Sequence, residues 1–269
     1  MLGKLAAKLA PSEPQLQHAA LRLTARGWET APLPAPDGSG ALVEHSDGRA
    51  ERVPLTPHRP VGEVTRAVLA AVRKLGGTVE IDPTPQEVPW SVPLDADTEH
   101  THYDTGEVRE YVAAATRAAL VLAGYRAPFR GRSTPVNAWW GSFDLAVSLF
   151  SGLSADPPSQ DFIMRNSMDA QEVAVGWWPG DARYSKAAFY AYAHPAPEGF
   201  SAMAGLPPGA HWDAKQGLFI LDWDDVRASP DPHAAAVSFA RSVFRHACAV
   251  CGWDPELAAT ADGTPPPVS

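Results

Sequence analysis

The strand and helix signals of this chain follow one another without a repeating strand–helix–strand rhythm, and this restricts the fold class more than any other feature. Residues 18–24 alternate with the period of two expected of a strand, and extended runs at 41–44 and 51–55 follow turn signals at Asp37-Gly38 and Asp47-Gly48. Residues 61–75 place Val64, Val68, Ala71, Val72 and Leu75 at helical spacing. Gly76-Gly77 stops that stripe and 78–81 resume as a strand, which gives βββαβ. Four prolines within 82–94 remove backbone donors and hold the chain extended, so this passage is read as a surface connector. A helix is predicted over 105–123, with Val108, Tyr111, Val112, Ala115, Ala119 and Leu122 on one side. Strands are predicted at 136–151, 172–178, 187–193 and 218–221, and a last helix at 232–251 is long enough to cover one sheet face. The pattern predicts a single α+β domain over residues 1–263, a mixed or mostly antiparallel sheet covered by two or three long helices, and a disordered Pro-rich tail at 264–269.

Six of the nine tryptophans fall between Trp139 and Trp223, including the pairs Trp139-Trp140 and Trp177-Trp178. A tryptophan needs its face packed and its indole N–H bonded, so this clustering marks either a dense core or the wall of a ligand pocket. With 31 acidic against 22 basic residues the net charge is −9, which repels phosphate backbones and anionic lipid surfaces and disfavours nucleic-acid and membrane partners. The opening ten residues are too short and too interrupted for a signal segment, so a cytoplasmic location is expected. Cys248 and Cys251 have C-x-x-C spacing, which a metal site or a redox pair would use. They lie in an amphipathic helical pattern with Phe239, Val243 and Val250, and without a second cysteine pair thiols packed on a helix face are the expected reading.

At 139–152 (WWGSFDLAVSLFSG), 176–180 (GWWPG), 189–200 (FYAYAHPAPEGF) and the spacing Asp213, Gly217, Asp225-Val226-Arg227, the chain resembles a bacterial family of unknown function, the domain of unknown function numbered 5996. The likeness takes in Thr24-Ala-Arg-Gly27 and His100-x-x-Tyr103-Asp104 and covers nearly the whole chain. Three places depart from the family pattern. An Asn-His-Trp-Trp-His run is replaced at Pro14, Gln15, Leu16 and Gln17, with only His18 kept; a Ser-His-Glu run appears as Asp169, Ala170 and Gln171; and a histidine appears as Asn137. Joint change at three polar positions marks a specialised member with a retained scaffold and a new ligand. The chain also resembles the larger subunit of the aziridine-forming enzymes of the azinomycin and vazabitide pathways. That resemblance implies displacement of sulfate by an amine within a small-molecule substrate attached to an amino-group carrier protein, a small partner subunit, and no cofactor or metal.

Ring closure of that kind needs an acceptor for the ammonium proton, donors for the departing anion, and walls that fix the geometry. Asp144 interrupts an apolar run and is either a functional acid or half of a structural pair; regular alternation would put it on one face with Ser142 and Trp140. Glu198, in a Pro-Ala-Pro-Glu-Gly loop, and His100, near His102 and Asp104, are further acid/base candidates, although Asp104 also has the position of a helix N-cap. Arg130, Arg132 and Ser133 form either an anion cradle or a solvated turn, and Arg165 is a second cation candidate. Trp139, Trp140, Trp178 and the alternating Tyr190, Tyr192 and His194 are the expected pocket walls. The opposing reading is a module that binds a small molecule or a protein without turning it over.

Overall fold

Every strand pairing among the described residues is antiparallel, and hairpins and helices mix without crossover units, so the fold class is α+β. The structure is a computed structural model and describes residues 1–24, 27–30, 40–45, 47–86, 88 and 90–262. The Asp37-Gly38 turn and the 264–269 tail lie outside the described residues. Two units are distinguished: Met1–Glu13, His18–Ala113 and Ala138–Ser142 in the first; Pro14–Gln17, Ala114–Asn137 and Phe143–Ser269 in the second.

In the first unit Leu2–Leu9 forms α1, Leu21–Thr24 (β1) pairs with Gly27–Thr30 (β2), and Gly40–Glu44 (β3) pairs with Ala50–Pro54 (β4). The Asp47-Gly48 signal is the β3–β4 turn, with Gly48 at φ +88°. Val61–Lys74 forms α2, whose Val68, Ala71 and Val72 pack with Leu5 of α1, Val53 of β4 and Val79. The strand expected at 78–81 is irregular chain: Val79 fills the α2 core, while the reversal that bonds Gly77 N–H to the Val72 carbonyl and the proline at 83 keep this segment out of a ladder.

Thr105–Arg126 forms α3, capped by the Asp104 carboxylate, which accepts from the Gly106 and Glu107 amides at 2.7 and 2.9 Å. Its buried residues are Ala115, Ala118, Val121, Leu122 and Tyr125, whereas Val108, expected to face inward, is 41% exposed. The continuous strand expected over 136–151 is two strands, Asn137–Trp139 (β5) and Asp144–Ser154 (β6). Between them the chain turns, and Phe143 takes a left-handed φ of +57°, so Trp140, Ser142 and Asp144 do not share a strand face.

The second unit continues with α4 (Phe162–Ser167), β7 (Ala170–Trp178), β8 (Ala188–His194), β9 (His211–Asp213), β10 (Leu218–Asp222), α5 (Trp223–Ala228), α6 (Pro232–Cys251) and α7 (Pro255–Ala259). Its strands run in the order β6-β7-β8-β10-β9. One sheet face carries Leu145, Val147, Val173, Val175, Phe189 and Phe219, all without solvent exposure, and α6 packs against this sheet with buried Phe239, Val243 and Phe244. Asp231 starts α6 by accepting the Ala234 amide at 2.9 Å, Pro232 occupies its first turn, and Gly252 ends it at φ +65°. Removing the cap in Asp231→Ala is expected to cost about 1 kcal/mol, read as a lower urea midpoint with an unchanged slope. Both thiols are free on α6, and burial pushes the Cys248 thiol up to about 12, so it stays protonated and unreactive at neutral pH.

Candidate functional site

Alternation puts the polar side chains of this sheet on the face opposite the Val147 and Phe219 face. In register across β6, β7 and β8, that face presents Phe150, Glu172 and His194 in one row, then Ser148, Ala174 and Tyr192, then Ala146, Gly176 and Tyr190. Small residues on the central strand leave room for the two tyrosine rings, which lie parallel with centroids 6.4 Å apart. Trp178 shares this face and meets Tyr190 edge-on at 5.1 Å, whereas Trp177 turns to the other face, 1% exposed, against Trp223.

Glu172 is a strongly perturbed carboxyl on the polar face. It is 4% exposed, and desolvation raises its pKa to about 7, against the opposing effects of hydrogen bonds from the Ser148 and Tyr192 hydroxyls and the charge of Arg132; Asp169 raises it further. The Tyr192 hydroxyl donates to Glu172 at 3.4 Å. Arg132 is positioned by a short stretch beside β6: its carbonyl accepts the Phe150 amide at 3.0 Å, and Thr134 exchanges bonds with Ser148. Its guanidinium stacks 4.0 Å over the Phe150 ring and donates to Gln15 at 2.5 Å, and the residue is exposed, so the cluster reaches solvent there.

The three places expected from the sequence to depart from the family pattern meet at this cluster. Gln15 donates to Asp169 at 2.5 Å, and Asn137 donates to Gln17 at 2.9 Å. Gln15 and Leu16 both adopt left-handed backbone, φ 51° and 55°, a conformation costing about 1 kcal/mol or more per non-glycine residue. Strain of this kind persists only where the surroundings hold it, and here it accompanies a glutamine bonded to both Arg132 and Asp169.

Asp144, 7% exposed, accepts a hydrogen bond from the Tyr190 hydroxyl. The Tyr190 ring lies close over Gly176, where an added Cβ would come within 2.2 Å of its Cζ. Farther along the face, Asp222 accepts from the Tyr184 hydroxyl and the Lys186 ammonium.

Of the other residues singled out from the sequence, Ser133 accepts from Arg126 at 3.0 Å, and His194 bonds the Asp156 carbonyl at 3.1 Å. Arg130 and Glu198 are exposed, and exposed Arg165 lies 5.9 Å from the Phe162 ring. Trp139 and Trp140 are half-buried in the first unit. His100, in the same unit, bonds buried Asp97 at 2.7 Å and stacks on Trp90 at 4.1 Å. The structure thus draws Arg132, Tyr190, Tyr192, Trp178 and Asp144 onto one polar sheet face and adds Glu172, Ser148, Gln15 and Asp169. Glu172 had a sequence signal of its own, a carboxylate inside the apolar run 170–178.

This is an α+β protein with a polar, carboxylate-bearing sheet face. The model of the Family of unknown function (DUF5996) matches residues 1–260, and the chain belongs to that family. No curated protein and no solved structure matches it. Among the described residues no helix is long and apolar enough to cross a membrane.

Proposed function

We propose that the protein is a biosynthetic enzyme acting on a small amine-bearing molecule, with Glu172 as the group that takes the proton of the amine. The observation that carries this reading is the pKa of about 7 of the buried Glu172, which makes both protonation states available at neutral pH beside the exposed Arg132. The reaction proposed is the intramolecular displacement suggested by the aziridine-forming resemblance. The amine nitrogen forms a bond to carbon, the carbon–oxygen bond to sulfate breaks, the ammonium proton passes to the Glu172 carboxylate, and sulfate leaves with its electron pair. Arg132, exposed beside Glu172, is the donor to the departing anion, and Tyr190, Tyr192 and Trp178 are the rigid wall. Attachment of the substrate to a carrier protein and a small partner subunit belong to the same proposal.

The test is incubation with an O-sulfated vicinal amino alcohol, with free sulfate and the cyclised product measured together. Turnover is expected to rise with pH through about 7 as the carboxylate forms, to fall roughly 100-fold or more in Glu172→Gln, and to fall roughly 100-fold in Arg132→Ala. A second reading, a non-catalytic binding module, is favoured by the engagement of Asp144 with Tyr190, which suits a fixed recognition wall. In that case the sulfate ester is recovered intact and both substitutions change affinity alone.

A further inference from the structure

We propose that Lys4, with Trp140 and Gln86, forms a binding subsite for an oxyanion, a carboxylate or a sulfate carried by a small molecule. Lys4 lies on α1 and is 9% exposed, although an ammonium group is strongly hydrated in water and has three N–H donors to satisfy. Among the described residues its hydrogen bond is to the neutral Gln86 carbonyl oxygen, at a long 3.3 Å; the Trp140 ring lies 5.7 Å from the nitrogen to the centroid, and the Met1 ammonium is a like-charged neighbour. No carboxylate among the described residues stands within ion-pair distance of it. A buried cation held by an amide and an indole face is an incomplete shell, and an oxyanion supplies both the counter-charge and the missing acceptors.

Burial lowers the Lys4 pKa, and the more distant charge of Asp82 only partly opposes the shift, as expected of a cation without a close counter-ion. Gly3 fixes the geometry. An added Cβ there would fall 1.9 Å from Trp140 Cδ1, so the indole packs against the α1 backbone and stays in place beside the ammonium. The half-exposed Trp140 gives the non-ionic part of the ligand a flat apolar surface. This subsite lies in the first unit, the Glu172 cluster belongs to the second, and the test of the subsite needs no turnover.

The experiment measures Tm for the full chain at pH 7 against sodium sulfate and, separately, sodium acetate, with ionic strength held constant by sodium chloride. The wild type is expected to show a saturable rise of about 3 °C at tenfold the half-saturating concentration of at least one anion, and the better anion identifies the group recognised. Lys4→Met, similar in size but uncharged, is expected to lose that response without lowering the Tm of the free protein. Acetylation of the wild type gives a second readout that does not depend on the variant folding. The effective anion should slow modification of Lys4 at least fivefold while the exposed Lys8 reacts at its original rate. A wild type with no saturable rise for either anion, an equal rise in Lys4→Met, or Lys4 acetylation unchanged by both anions overturns the subsite.

Discussion

Glu172→Gln is expected to make the protein more stable at pH 8, by up to about 3 kcal/mol, while leaving stability near pH 4 almost unchanged. The pKa of this carboxyl rises on folding from 4.5 to about 7, and each unit corresponds to about 1.4 kcal/mol. Between those two values the folded state holds a proton that the unfolded state has released, so stability falls as pH rises. The group's contribution is fully present below 4.5 and lost as pH rises through about 7. Glutamine copies the shape of the protonated acid and cannot ionise, so it retains the low-pH behaviour throughout. The measurement is urea unfolding of both proteins from pH 4 to pH 8. The stability difference should grow across the interval and level off above it. A difference independent of pH means that the carboxyl is not perturbed by burial. A carboxyl that weakens the fold at neutral pH, and whose proton is exchangeable there, has the character of a working acid/base group.

Gly176→Ala is expected to destabilise by about 2–4 kcal/mol, through overpacking and loss of a buried hydrogen bond. The methyl group would meet the Tyr190 ring at 2.2 Å, and β7 is held on both sides by β6 and β8, so the ring must move. Once displaced, its hydroxyl leaves Asp144, a carboxylate only 7% exposed. A Tm lower by roughly 5–10 °C is the expected readout. The decisive comparison repeats the substitution in a Tyr190→Ala background, where most of the cost should disappear. If the full cost persists there, close approach of the tyrosine ring is not the reason for glycine at this position.

Helix α6 was readable from the sequence to its ends, because Asp231, Pro232 and Gly252 give local start and stop signals that packing does not override. The β7 and β8 strands were readable for a related reason: runs rich in apolar and aromatic residues fit a sheet covered on one face by a helix. The break at 140–143 was not, since a phenylalanine at positive φ is imposed by tertiary context, and the strand expected at 78–81 failed because it has a hydrophobic pattern but no ladder. The site divides in the same way. Tyr190, Tyr192 and Arg132 announced themselves through alternation and local composition. The joining of Glu172 to Ser148, Tyr192, Arg132 and Gln15 depends on strand register and on a left-handed turn at 15–16, which no local pattern encodes. Gln15, Gln17, Asn137 and Asp169 were noted separately in the sequence, and only the fold brings them together in the pairs Gln15–Asp169 and Asn137–Gln17.

The most direct measurement is a 13C NMR titration of the Glu172 side-chain carboxyl, assigned by the signal missing from Glu172→Gln. A midpoint at about 7 is predicted, and a midpoint near 4.5 would contradict the account of Glu172 as a proton-exchanging group at neutral pH.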